Sequence, residues 1–416
     1  MTFPTTVVPE SQGFSSKRLG QVSALLERYI SNDLLKGCSV LLARRGEVVH
    51  LESAGSTGTG NKKLELDSLF RIYSMTKPVT TVAALMLFEE GKLLLDDPVA
   101  RYLPAFKDTR VHAVSEPKNL KLVEQERPMT IRDLMTHTAG LSYGWFIDTP
   151  VDRLYRESKV SPAATKLQDF VAFLATMPLV FQPGSHWRYS HATDVLAHLV
   201  EVIADEDLGS FLQRRIFEPL AMKDTAFGLP KAKADRLTSV YCPSENYSFT
   251  LDYSTLEPGV PIYPVDTPEN SRFIDPPFIN GMAGGGGLVS TLPDYFRFAQ
   301  MLANKGVFEG AELLGQKTVE LMAMNHLSDK VPPLEIGGNP IPGTRFGLGV
   351  SVIEDVAASA TLGSKGVYGW SGAAMTNFWV DPVEDIVGIF MTQFMPSDFY
   401  RVVREFRVAA YQALRE

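Results

Sequence analysis

Two cysteines, Cys38 and Cys242, are all that this chain of 416 residues carries. Nothing in them suggests a disulfide framework or a thiolate metal site, and so low a count fits a reducing compartment. No run of 18 apolar residues occurs, so no membrane span is expected. The opening residues 1–10 lack the basic and apolar regions of a secretory signal. Together these absences predict a soluble, cytoplasmic protein. Positive charge is also scarce: 40 Lys and Arg stand against 48 Asp and Glu, a net charge of -8 without any basic cluster. That balance argues against a nucleic-acid partner. The seven histidines are scattered. His186, His191 and His198 form no H-E-x-x-H pattern, so neither a metal nor a cofactor is expected.

What remains is an ordinary globular composition, 45% hydrophobic and 21% charged. The length allows two or three cores or one large composite domain. Residues 17–30 read as an amphipathic helix with Leu19, Val22, Leu25, Leu26 and Ile30 on one side. Residues 38–44 and 47–53 read as a hairpin turning at Arg45-Gly46. Residues 98–222 differ in texture, with helical segments, many prolines and few β-branched runs. In that region a short capped helix over 130–140 ends at Gly140, and further helices are expected over 167–175 and 193–204. Residues 223–280, rich in Pro, Tyr, Ser and Asn, are expected to be irregular. Late in the chain, 346–353, 367–370, 375–380 and 386–394 read as strands, and 399–414 as a closing helix. This order predicts an α+β fold, an antiparallel sheet flanked by helices. The sheet domain is built from 1–97 and 223–416, the all-helical insertion from 98–222, and the active site lies between them.

Three places carry side chains suited to chemistry. Ser74 and Lys77 form an S-x-x-K motif at the front of a segment whose Val79, Val82, Ala83, Leu85, Met86 and Phe88 recur at mostly helical spacing, up to Gly91. Pro78 fits only a first helical turn, which puts the start near Ser74 and the Lys77 amine beside the Ser74 hydroxyl. An amine held there can take the proton that keeps a serine from acting as a nucleophile. A second S-x-x-K, Ser115 to Lys118, contains Pro117 and precedes no helix, so it reads as chance. Tyr189 lies between the Pro183-Gly184 turn and a helix, a rigid corner from which a phenol can project. Gly369 to Ala373 sits in a strand context where glycine lets an edge backbone offer an N–H to a substrate oxygen.

The set Ser74-Met-Thr-Lys77, Tyr189-Ser-His191 and Trp370-Ser-Gly372 resembles the serine β-lactamase-like family in order and rough spacing. Leu134 to Gly140 and Gly281 to Ser290 fall where that family has similar segments, and the resemblance spans roughly residues 12 to 412. Within it the chain is most similar to the family VIII carboxylesterases. The resemblance implies that Ser74 attacks an acyl carbonyl and forms an acyl-enzyme. It implies that Lys77 and Tyr189 supply the base and proton relay, leaving open which is the base. The backbone N–H groups of Ser74 and Ala373 would form the oxyanion hole, and Trp370, Ser371, Gly372, His191 and Tyr143 would line the substrate pocket. The implied partner is a small-molecule ester.

Two departures from the β-lactamase pattern narrow the substrate. Trp370 stands where a lysine commonly binds the antibiotic's carboxylate, and His191 stands where asparagine is common. An indole has one N–H and no charge, so a charge-assisted hydrogen bond of about 1.5–3 kcal/mol is lost and neutral esters are favoured. The aromatics Tyr143, Trp145, Phe146, Trp187 and Trp370 fit a compact apolar acyl pocket. Two other motifs are set aside. Gly140-Leu-Ser142-Tyr-Gly144 matches G-x-S-x-G, but a helix precedes Ser142 where a nucleophile elbow needs a strand. The glycine run 281–287 matches no phosphate-binding pattern and is read as backbone passing close beside another element.

Overall fold

The computed structural model describes residues 5–415 except 59, 61, 114, 116–118, 246–252, 254, 255 and 258. The second S-x-x-K therefore has its last three residues outside the described residues.

The sheet is made from both ends of the chain. Strands β1 (Gly37–Arg44) and β2 (Glu47–Gly55) come from the start, after helix α1 (Ser16–Ser31). Strands β3 (Thr344–Phe346), β4 (Ser351–Ile353), β5 (Tyr368–Ser371), β6 (Asn377–Asp381) and β7 (Ile386–Thr392) come from the end. They pair antiparallel in the order β3-β4-β5-β6-β7-β1-β2. The join is β1 on β7, running from Cys38 opposite Thr392 to Arg44 opposite Ile386. Every residue of β1 is buried. Because side chains alternate along a strand, Val40 and Leu42 face one core with Phe390, while Leu41 and Ala43 face another with Ile389 and Met391. Helix α1 and the closing helix at Val402–Tyr411 cover the first face through Val22, Leu26 and Phe406. Each such fully buried Leu or Phe contributes about 1.5–3 kcal/mol. Both faces are covered, so β1 reads as a continuous apolar run.

The second face carries the helices that matter for the site. These are α2 (Thr76–Glu89), α3 (Ile131–Met135), α4 (Pro150–Glu157), α5 (Leu167–Thr176), α6 (Ala192–Ala204) and α7 (Leu208–Leu212). They are joined by the single turn α8 (Ala283–Gly286) and by α9 (Leu292–Ala303). Helix α2 is buried along nearly its whole length, Thr76 to Leu87. Its polar residues face other protein segments instead of water: Lys77 and Thr80 meet α8, Thr76 accepts the Leu288 N–H and Thr81 lies against the turn at Gly349.

Four expectations are corrected. Residues 346–353 form a hairpin between β3 and β4 instead of one strand. Gly349 turns with φ +72°, and a Cβ there would run into the Thr81 side chain. The 130–140 helix, started by the capping box of Thr130 and Asp133, stops at Met135, because His137 turns left-handed with φ +57° and the Thr138 hydroxyl folds back to Asp133 at 3.1 Å. The insertion is not all helical, since Val111–His112 pairs with Leu122–Val123. The 223–280 stretch is not wholly irregular, since Val240–Cys242 pairs with Tyr263–Asp266.

Candidate active site

The approach to Ser74 is strained. A strand at Phe70–Arg71 pairs with Val289–Ser290, and the chain then enters a 3-10 turn, Tyr73–Met75, that feeds α2. Tyr73 takes φ +42°, a left-handed conformation uncommon for a residue with a side chain. The next turn lays Lys77 over Ser74, with Nζ 3.2 Å from Oγ. The Lys77 side chain is fully buried, and Nζ also donates to the Gly285 carbonyl oxygen at 2.6 Å.

The glycines of α8 are there to let that turn in. A Cβ on Gly284 would overlap Ala197 and come within 2.6 Å of the Thr193 oxygen. A Cβ on Gly285 would lie 3.1–3.3 Å from the Asp194 carboxylate and from Lys77 Nζ. The turn is fastened by the Thr80 hydroxyl donating to the Gly284 carbonyl at 2.8 Å, and by the Gly285 N–H donating to Asp194 at 2.7 Å.

Tyr189 closes the site from the segment that leads into α6. Its ring centroid is 4.6 Å from Lys77 Nζ, so the ammonium sits against a π face. Its hydroxyl oxygen accepts the indole N–H of Trp370 at 3.1 Å, across from β5. His191, the residue before α6, bonds Asp194 through Nδ1 at 2.7 Å. Tyr143 packs edge-on to His191 at 4.3 Å and to Tyr189 at 5.3 Å, and it stacks on Trp145 at 4.8 Å. At the end of β5, Ser371 is exposed and accepts from Asn377 at 2.8 Å. A Cβ on Gly372 would overlap the Ile72 carbonyl, so the backbone leading to Ala373 passes directly beside the Ser74 turn. Around the Ser74 turn the structure thus brings together Lys77, Tyr189, Tyr143, His191, Trp370 and Gly372, with Ser371 and Ala373 flanking Gly372 in the chain.

Burial sets the electrostatics. The Tyr143 phenol is pushed well above the ordinary tyrosine value by burial, with the Tyr189 hydroxyl and the Asp194 carboxylate adding to it. His137 is pushed well below the ordinary histidine value by burial and by the Lys77 cation. It stays neutral, edge-on to Tyr189 at 4.9 Å.

Three contributors escaped sequence reasoning: His137, Asp194 and the Gly285 carbonyl. Asp194 in a first helical turn looks like any acid favoured by the helix dipole. His137 sits in the Leu134 to Gly140 segment, where φ +57° turns it inward after the helix has ended. The rival serine is spent elsewhere. Buried Ser142 donates to Asp152 and accepts the Gly144 N–H at 3.0 Å, and no strand precedes it.

The family model for β-lactamases matches residues 22–413. The chain belongs to that family. A Mycobacterium tuberculosis relative, Protein Rv1367c, is 34% identical over 369 residues, covering 88% of this chain and 87% of its own. Esterase EstB of Burkholderia gladioli is 28% identical over 87% of this chain and 86% of its own. Among solved structures, EstCE1, described as a hydrolase with promiscuous acyltransferase activity, superposes with TM-score 0.76. It is 27% identical and covers 95% of this chain and 99% of its own. The family model, EstB and EstCE1 together support a family VIII esterase relationship within the serine β-lactamase-like superfamily. It is a hydrolase or acyltransferase of the β-lactamase fold. No helix among the described residues is long and apolar enough to cross a membrane.

Proposed function

We propose that this protein is a serine carboxylesterase that cleaves short-chain acyl esters through an acyl-enzyme on Ser74. The observation that carries the reading is Lys77 Nζ lying 3.2 Å from Ser74 Oγ while its ring neighbour Tyr189 is hydrogen-bonded to Trp370. Ser74 Oγ attacks the ester carbonyl, and its proton passes through Lys77 and Tyr189 to the leaving alkoxide. The oxyanion rests on the backbone N–H groups of Ser74 and Ala373. Water, deprotonated by Tyr189, then attacks the acyl-enzyme, releases the acid and returns the proton to Ser74.

Trp370 supports the substrate class. Its one donor is already used by Tyr189, and it offers no cation to a carboxylate. The acyl group would rest against Tyr143 and His191, with Ser371 and Gly372 on the β5 side. The two-part organisation belongs to the same reading: a sheet domain of 1–97 and 223–416, a mainly helical part of 98–222, and the cleft between them.

The test is kcat/KM for p-nitrophenyl butyrate against a chromogenic cephalosporin on one preparation, with Ser74→Ala as control. Ester turnover well ahead and lost in the mutant supports the reading. Cephalosporin turnover ahead overturns the substrate class. Acyl transfer to an alcohol is a second reading, favoured by EstCE1's described activity. It is distinguished by adding an acceptor alcohol and measuring new ester against free acid.

A further inference from the structure

We propose that Asp194 is a positioning residue for Lys77, acting through Gly285, whose N–H it holds and whose carbonyl Lys77 uses, with His191 holding the other side of its carboxylate; this rests on the Ser74–Lys77 reading above. Lys77 is fully buried, and among the described residues no carboxylate lies within ion-pair distance of its Nζ. Its short contact is to a backbone carbonyl, and a carbonyl is only as well placed as the turn that carries it. Helix α8 is a single turn of three glycines and one alanine, with little stiffness of its own. What holds it is side chains from the two flanking helices: Thr80 of α2 on the Gly284 carbonyl and Asp194 of α6 on the Gly285 N–H.

The Asp194 carboxylate is held on both sides. One carboxylate oxygen takes the Gly285 N–H at 2.7 Å and the other takes His191 Nδ1 at 2.7 Å, which fixes its rotamer. Its carboxylate and Lys77 Nζ both lie within 3.3 Å of one point, where a Gly285 Cβ would stand. The other groups around Lys77 are the Tyr189 and Tyr143 rings and neutral His137. Asp194 therefore holds Gly285 where its carbonyl meets Lys77.

The experiment measures kcat and KM for p-nitrophenyl butyrate on Asp194→Ala, with Ser74→Ala and Lys77→Ala alongside. Alanine removes the acceptor that holds the Gly285 N–H. The expected result is kcat lowered about tenfold with KM within about threefold. A clamp that only stabilises the fold would lower the melting temperature and leave kcat of the folded enzyme unchanged. An Asp194→Ala enzyme with wild-type kcat overturns the inference. Gly285→Ala gives a second measurement, because it keeps Asp194 and inserts a methyl between its carboxylate and Lys77. It should lower kcat by about tenfold, and unchanged kcat there also overturns the inference. If Ser74→Ala or Lys77→Ala retains activity, it is the esterase reading that fails, and the two failures are distinguishable.

Discussion

The indole N–H of Trp370 donates to the phenol oxygen of Tyr189 at 3.1 Å, joining β5 to the segment before α6. Indole has no other polar atom, so Tyr189 can only accept in this contact, and its own proton is left to point elsewhere. Trp370, an uncharged side chain, thus orients the phenol.

Trp370→Phe keeps the bulk and removes the donor. It should lower kcat on p-nitrophenyl butyrate about tenfold, the worth of one buried hydrogen bond, with KM little changed. Trp370→Lys should raise the ratio of cephalosporin to ester turnover. A lysine variant with an unaltered ratio would show that the cation does not reach the substrate.

Ser74→Ala should abolish ester hydrolysis and labelling by a serine-reactive phosphonate. Ser142→Ala should keep most activity, since Ser142 is bonded to Asp152 and not to any base. Inverted results from the two mutants would move the nucleophile.

Asp152 binds Arg188 at 2.6 Å, and both side chains are buried. Asp152→Ala leaves that guanidinium without its carboxylate and Ser142 without its acceptor. The expected loss is about 3–5 kcal/mol, read as a lower urea midpoint at unchanged slope. A shift of under about 1 kcal/mol would mean that water reaches Arg188.

His137 titrates far below the ordinary histidine value of 6.5 because it is buried beside Lys77. The unfolded chain therefore binds its proton first as pH falls, and the folded form does not. Stability is complete above the unfolded value near 6.5. It is lost as pH drops from there toward the depressed folded value, by up to about 1.4 kcal/mol per unit. His137→Asn tolerates the φ of +57° and cannot titrate, so its melting temperature should fall less between pH 7 and 5. Equal slopes would place the acid sensitivity in other groups.

The elements of both chain ends were legible in the sequence because period and punctuation are local. The Arg45-Gly46 hairpin, the helices over 17–30 and 193–204, and the late strands each announce themselves within a dozen residues. So did the chemistry of the motifs: Pro78 fixes a first turn, and a first turn puts Lys77 beside Ser74. What the sequence could not determine were contacts closed over hundreds of residues. The hairpin at Gly349 depends on Thr81 occupying the space its Cβ would need, and Thr81 lies more than two hundred positions earlier. Asp194 carries no sequence signal of its role, because α8 brings the Gly285 N–H to it from residue 285. His137 falls within the helix expected over 130–140, which its own φ of +57° ends early. Sequence spacing sets which neighbours a residue has along its own helix. Only the packing of α2, α6 and α8 against one another decided which carbonyl the buried Lys77 would find, because a buried ammonium must take whatever acceptor the fold brings to it.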